Sequence, residues 1–119
     1  MNWMVTNMDA AQAVGINQAT LDEIVRRILS VASPEKIILF GSAATGEMTP
    51  DSDIDLLIVE AEPGDQRLES VRIHAALRGL DYAFDVIVIG REWFEASKNV
   101  IGGIAYPANK YGKVIHDAA

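Results

Sequence analysis

The sequence predicts an α/β (α+β) protein: a few short strands in one sheet, with helices packed on one face and the other face left partly open. Two observations carry this expectation. Apolar runs of strand length, at 37–40, 53–60 and 83–89, alternate with segments of helical period. A chain of 119 residues also suffices for one core and is too short for two ordinary ones, so a single domain over 1–119 is expected.

The elements follow in order. Residues 1–15 show no clear period and are read as a frayed end. Thr20-Leu21-Asp22-Glu23 reads as a capping box, and Leu21, Ile24, Val25, Ile28, Leu29 and Ala32 follow at helical spacing. Arg26 and Arg27 fall off that stripe and read as solvated. Ser33-Pro34 ends the helix, because proline disfavours helical geometry in the residue before it. A strand at 37–40 leads into Gly41-Ser42, with Ser42 expected to cap a short turn through Ala43, Ala44 and Thr45. Gly46, Thr49, Pro50, Asp51 and Ser52 are turn formers. After the strand at 53–60, Pro63-Gly64-Asp65 opens a helix over 65–80 whose predicted buried stripe is Leu68, Val71, Ala75 and Ala76, with His74 beside it and exposed. The third strand, 83–89, precedes a short helix at 91–97, with Trp93 and Phe94 expected on the sheet. Ile101, Ile104, Ala105 and Tyr106 are expected to bury, Pro107 to break or bend the chain, and 110–116 to form a last turn and extended segment. There Val114 and Ile115 return to the core and His116 stays exposed.

Composition narrows the classes of function. No run approaches the 18 or so apolar residues of a membrane span, and no basic region precedes an apolar one near the start, so a cytoplasmic protein is expected. Without cysteine there are neither disulfides nor thiolate metal sites. Seventeen acidic against ten basic residues, net −7, argue against a basic face for duplex DNA. The same charge suits a nucleotide carried with a cation, or a basic protein partner.

The chemistry concentrates in 36–60, KIILFGSAATGEMTPDSDIDLLIVE. Alternation puts Asp53 and Asp55 on one face of their strand and Ile54, Leu56 and Ile58 on the other. Their Cβ atoms lie roughly 6.6 Å apart, where two full charges repel by about 2.5 kcal/mol at an effective dielectric near 20. A divalent cation such as Mg²⁺ turns that repulsion into a site, since hard cations take carboxylate oxygens and substrate phosphates. Gly41 allows a sharp turn or close approach, and the amides that follow it, with the Ser42 hydroxyl, suit a phosphate. Asp85 interrupts the third apolar run, on one face with Ile87 and Ile89, where a carboxylate is costly unless something pairs with it.

Gly41-Ser42, ten intervening residues and then Asp53-Ile54-Asp55 resembles the signature of the polymerase-beta-like nucleotidyltransferase superfamily, and the short chain is similar to its minimal branch. The resemblance implies a small mixed β-sheet with the Gly41-Ser42 turn beside Asp53 and Asp55. It implies a nucleoside monophosphate, most simply AMP from ATP, transferred to an acceptor hydroxyl with two Mg²⁺ ions, Mn²⁺ being an alternative. Asp53 and Asp55 would hold the nucleotide's metal, Asp85 would complete a second metal site and help activate the attacking oxygen, and Gly41 and Ser42 would orient the phosphates. It further implies a protein acceptor: a small helical partner with ribonuclease activity, for which this chain would be the antitoxin. Two departures from the pattern stand out. No Lys or Arg lies between Gly41 and Ser52, leaving Arg91, Lys36 and Lys98 as candidates to supply that charge, and no separate acceptor-binding domain is evident, so a partner subunit or a homodimer is expected to complete the cleft. The competing reading is a binding module that neutralises or stabilises a partner by contact, without turnover; a polymerase accessory domain fits the acidic balance poorly.

Overall fold

The computed structural model describes residues 16–49 and 51–118, so the frayed end expected at 1–15, and Pro50 within its loop, lie outside the described residues. Four strands form one mixed sheet in the order β3-β2-β1-β4: β1 (Lys36–Phe40), β2 (Ile54–Glu60), β3 (Phe84–Gly90) and β4 (Lys113–Asp117). β1 is antiparallel to both β2 and β4, whereas β2 and β3 run parallel. Parallel neighbours need a crossover, and here it is the helix between them. The described helices are α1 (Gln18–Leu29), α2 (Ser42–Thr45), α3 (Gln66–Ala76), α4 (Arg91–Ser97) and α5 (Ala105–Tyr111). None is long and apolar enough to cross a membrane.

The two longer helices, α1 and α3, cover one face of the sheet, where Ile24, Ile28, Ile73 and Leu77 pack on Ile37, Leu39, Leu56, Ile58 and Val88. The second face carries a smaller cluster in which Phe94, Ala105 and Ala108 meet Ile38, Leu57, Val59 and Ile89. α4 and α5 thus cover part of the face that the sequence left open.

Local chemistry shifts several predicted boundaries. α1 begins earlier than the Thr20 box: Asn17 is the cap, its Oδ1 accepting from the Thr20 amide at 2.8 Å. Glu23, freed from capping, instead accepts from Arg26 and Arg27. Arg27 is only part exposed, and it also donates to the carbonyl of Arg78 at 2.6 Å, tying α1 to the chain just past α3. The Arg26 guanidinium first and Arg27 second hold the Glu23 carboxyl down at about 2. Its stabilising contribution is therefore present above the usual carboxylate value of 4.5 and is lost as pH falls from there toward 2. Glu23→Gln is expected to lower the melting temperature at pH 7 and to converge with the native protein in acid, as parallel thermal melts across that range will show.

The predicted stripe on α3 is on the wrong side. Leu68 and Val71 are 64% and 60% exposed, and Ala75 is exposed too, while Ile73 and Leu77 are the residues buried. The Asp65 cap sets the start of the helix, and Ser70 Oγ donates to the Val86 carbonyl, so the helix face that meets β3 is the one bearing Ser70, Ile73 and Leu77. His74 is exposed as expected.

In the C-terminal third, Phe94 is buried but Trp93 is half exposed and Ile101 is 80% exposed, against expectation. Ile104 and Ala105 do pack on the sheet. Pro107 does not break the chain: it falls in the first turn of α5, where its missing N–H has no helical partner to lose. Ile115 packs against the core, but Val114, on the outer strand β4, is exposed, and His116 is part buried opposite Ile37.

Candidate active site

Phe40, the last residue of β1, pairs with Asp55 of β2, and the chain then turns at Gly41 with φ 70° and ψ −152°, a conformation that L side chains rarely adopt. A Cβ at this position would land on Asp55 Oδ2. Glycine is therefore required twice, once by the turn and once because the carboxylate of Asp55 occupies the space beside it. Gly41, not the expected Ser42, is the cap of α2; Ser42 is the first residue of this single turn and makes no capping bond. The amides of Ala44 and Thr45 both donate to the Gly41 carbonyl, so those of Ser42 and Ala43 come ahead of the first bonds of the turn.

Across the parallel pair, Asp55 stands directly opposite Asp85. Neighbouring strands lie about 4.8 Å apart, and paired residues project from the same face, so the two carboxylates are neighbours. Asp53 is exposed and sits just before β2, whose first amide, on Ile54, donates to the Ala83 carbonyl at 2.8 Å. The acid side chains feel one another: burial first, then Asp85, then Asp53 push the Asp55 carboxyl above its ordinary value. Among the described residues none of the three enters an ion pair with a basic group.

Nor do three acidic or histidine side chains among the described residues already converge as a finished metal cage. What the geometry provides is a set of carboxylate oxygens, two directly opposed and a third one residue outside the strand. Such a donor set suits a hard divalent cation.

The basic residues proposed to make up for the bare loop are elsewhere. Arg91 is paired with Glu35 at 2.7 Å, Lys98 with Glu95 at 3.0 Å, and Lys36 lies over the Phe94 ring, all toward the opposite end of the sheet. A basic residue with no sequence signal, Lys113, enters β4 opposite Leu39 at the same end as Gly41. A cavity of about 320 Å³ lies at the entrance to β3, formed by the end of α3 and the turn after it. Neither has a motif to announce it: Lys113 is placed by strand pairing, and the cavity by the way the end of α3 and its turn meet β3.

This fold is that of the polymerase-beta-like nucleotidyltransferases, built around a glycine turn set against opposed acids. The chain belongs to the nucleotidyltransferase domain family, whose profile matches residues 20–106. No curated protein matches it in sequence. Among solved structures it is similar to a toxin–antitoxin crystal structure with AMP-PNP, at 20% identity and a TM-score of 0.59 over 82% of this chain and 73% of that one. A mutant of the toxin–antitoxin pair MntA-HpeT aligns at 18% identity and 0.58 over the same shares. A crystal structure described as a candidate nucleotidyltransferase from Sulfolobus solfataricus aligns at 22% and 0.53, covering 80% of this chain and 76% of that one.

Proposed function

We propose that this chain transfers AMP from ATP to a hydroxyl of a protein partner, acting in the cytoplasm as the antitoxin of a toxin–antitoxin pair. The observation that carries the reading is the opposition of Asp55 and Asp85 beside the Gly41 turn, an arrangement that a scaffold has no reason to keep. Membership of the nucleotidyltransferase family supports the reaction class, and the neighbours crystallised as toxin–antitoxin assemblies, one with AMP-PNP, support the nucleotide and the partner.

Asp53 and Asp55 would hold a Mg²⁺ or Mn²⁺ ion with the nucleotide, and Asp85 with Asp55 a second. Bound there, the ions supply positive charge against the phosphates, in the manner of two-metal sites. The Ser42 and Ala43 amides and the Ser42 hydroxyl orient the β- and γ-phosphates. The acceptor oxygen attacks the α-phosphorus: a new P–O bond forms, the bond from that phosphorus to the bridging oxygen breaks, and pyrophosphate departs. The hydroxyl proton passes to the Asp85 carboxylate, the general base.

Incubation of the partner with ATP, Mg²⁺ and this chain, followed by intact mass, tests the reading. Each AMP is expected to add about 329 Da, a value set by the chemistry of the transferred group. Asp53→Ala is expected to leave the complex intact and remove the adduct. A complex that forms without any adduct from the four nucleoside triphosphates, with Asp53→Ala protecting cells as well as the native chain does, would establish the contact reading instead.

A further inference from the structure

α5 packs on the face of the sheet that bears the acids. Strand pairing and alternation put Ile38, Phe40, Asp55, Leu57 and Asp85 on one face, and Ala105 and Ala108 of α5 are buried in the cluster that contains Ile38 and Leu57. The helix runs toward the acid end of that face, because Gly112 closes it and the chain then enters β4 opposite Leu39, the residue before Phe40. Gly112 is seated so tightly that a Cβ there would strike the Ala108 carbonyl, the Ile38 side chain and the Leu39 carbonyl, which pins the end of α5 against β1.

The phase of the helix then places Tyr111. It follows Ile104 by seven residues, about two turns, and Ile104 already has helical geometry, so the two share a flank. Ile104 packs in the cluster formed with Leu57, Val59 and Ile89 of β2 and β3. Among the described residues β4 adds nothing to that cluster, and Val114, paired with Ile38, is 54% exposed. The shared flank therefore looks toward β2, and Tyr111 stands at its acid end, beside Phe40 and the Asp55 paired with it.

Tyr111 is 57% exposed, and the Lys110 ammonium lies over its ring, 5.5 Å from the centroid. Lys110 is fixed in turn: it donates to the Tyr106 hydroxyl at 3.2 Å and lies 5.6 Å from the centre of that ring. An exposed aromatic ring held in place beside a phosphate site is a stacking platform, since every base offers a π-face. The supply of charge favours the same use. No Lys or Arg lies between Gly41 and Ser52, and Arg91, Lys98 and Lys36 are engaged toward the opposite end of the sheet. With so little side-chain charge for the phosphates, a contact to the base is where this site can gain affinity for a nucleotide.

We infer that Tyr111 binds the base: the purine of the nucleotide stacks on the part of the ring that Lys110 leaves open, between α5 and the row of Asp55 and Leu57. The inference rests on the transfer reading above and adds what selects the nucleotide. A purine overlaps a phenol ring more fully than a pyrimidine does, so ATP is preferred to CTP.

Calorimetric titration of the full chain with Mg·ATP, Mg·CTP and Mg·tripolyphosphate, which keeps the phosphates and lacks the base, tests this. Tyr111→Ala is expected to weaken ATP by about tenfold, to weaken CTP less and to leave tripolyphosphate unchanged. Tyr111→Phe is expected to bind ATP as the native chain does, because the ring and not the hydroxyl makes the contact. ATP affinity unchanged in Tyr111→Ala overturns the assignment, and so does an equal loss for tripolyphosphate, which would make Tyr111 a phosphate or structural contact. A loss in Tyr111→Phe as large as in Tyr111→Ala overturns stacking in favour of a hydrogen bond. Failure of the transfer reading has another signature: the native chain then binds no Mg·ATP, and both readings fall together.

Discussion

Replacing Asp55 with asparagine is expected to stabilise the metal-free protein and to cut transfer sharply. Asp55 is part buried, stands opposite Asp85, has Asp53 close by, and enters no ion pair with a basic group among the described residues. Removing its charge relieves that repulsion, by about 1 kcal/mol once solvent screening is allowed for, or roughly 4 °C in melting temperature. The order is expected to reverse with saturating Mg²⁺. If the native chain binds the ion as proposed, it is expected to gain on the order of 2.7 kcal/mol at a hundred times the dissociation constant, and the variant to lose that gain. Transfer to the partner is expected to fall by about two to three orders of magnitude, as when a fixed electrostatic group is removed from a transition state. Melts with and without Mg²⁺, beside the mass assay, measure all three effects. A variant that is less stable without metal would show that Asp55 is a structural acid.

Gly41→Ala is expected to damage the protein twice over. The positive φ costs about 1–3 kcal/mol for any residue with a Cβ. The added carbon also displaces Asp55 Oδ2, so the acid moves out of line with Asp85. The informative comparison is Gly46→Ala, at the other end of α2, which also has a positive φ but has no part in the proposed site. Both variants are expected to melt lower than the native chain. At matched folded fraction, Gly41→Ala is expected to lose transfer by about a hundredfold, in keeping with an ångström-scale misplacement of a reacting group, while Gly46→Ala keeps most of it. Equal activities would mean that Gly41 shapes the turn alone.

The contrast between what the sequence reveals and what it hides follows from periodicity. Strand alternation is strict, so one glance at Asp53, Asp55 and Asp85 assigns them to a face, and the structure pairs Asp55 with Asp85 on that face. Helical spacing is less binding. Leu68, Val71 and Ala75 make a plausible stripe, yet the face that packs is selected by Ile73 and Leu77, and by the bond from Ser70 to β3. Trp93 misleads in the same way, since hydrophobicity alone does not say which of several apolar residues a short helix turns inward, and Ile101 lies in the turn between α4 and α5, where no face is buried. The cap at Asn17 was hidden by a second acceptable cap three residues on. The β3 cavity has no linear signature, because its walls come from a helix end, a turn and a strand entrance.

The mixed character of the sheet implies an order of assembly. Gly41 and Asp55 meet across one loop between antiparallel neighbours, a short closure that can form early. Asp85 reaches Asp55 only after α3 has crossed over and β3 has docked alongside β2. The Gly41 turn and Asp55 therefore belong to one antiparallel pair closed by a local loop, and Asp85 arrives with the slower parallel pairing. A partly unfolded chain would hold the Gly41 turn and Asp55 without Asp85, the proposed base, and amide exchange at β3 should outpace that at β1.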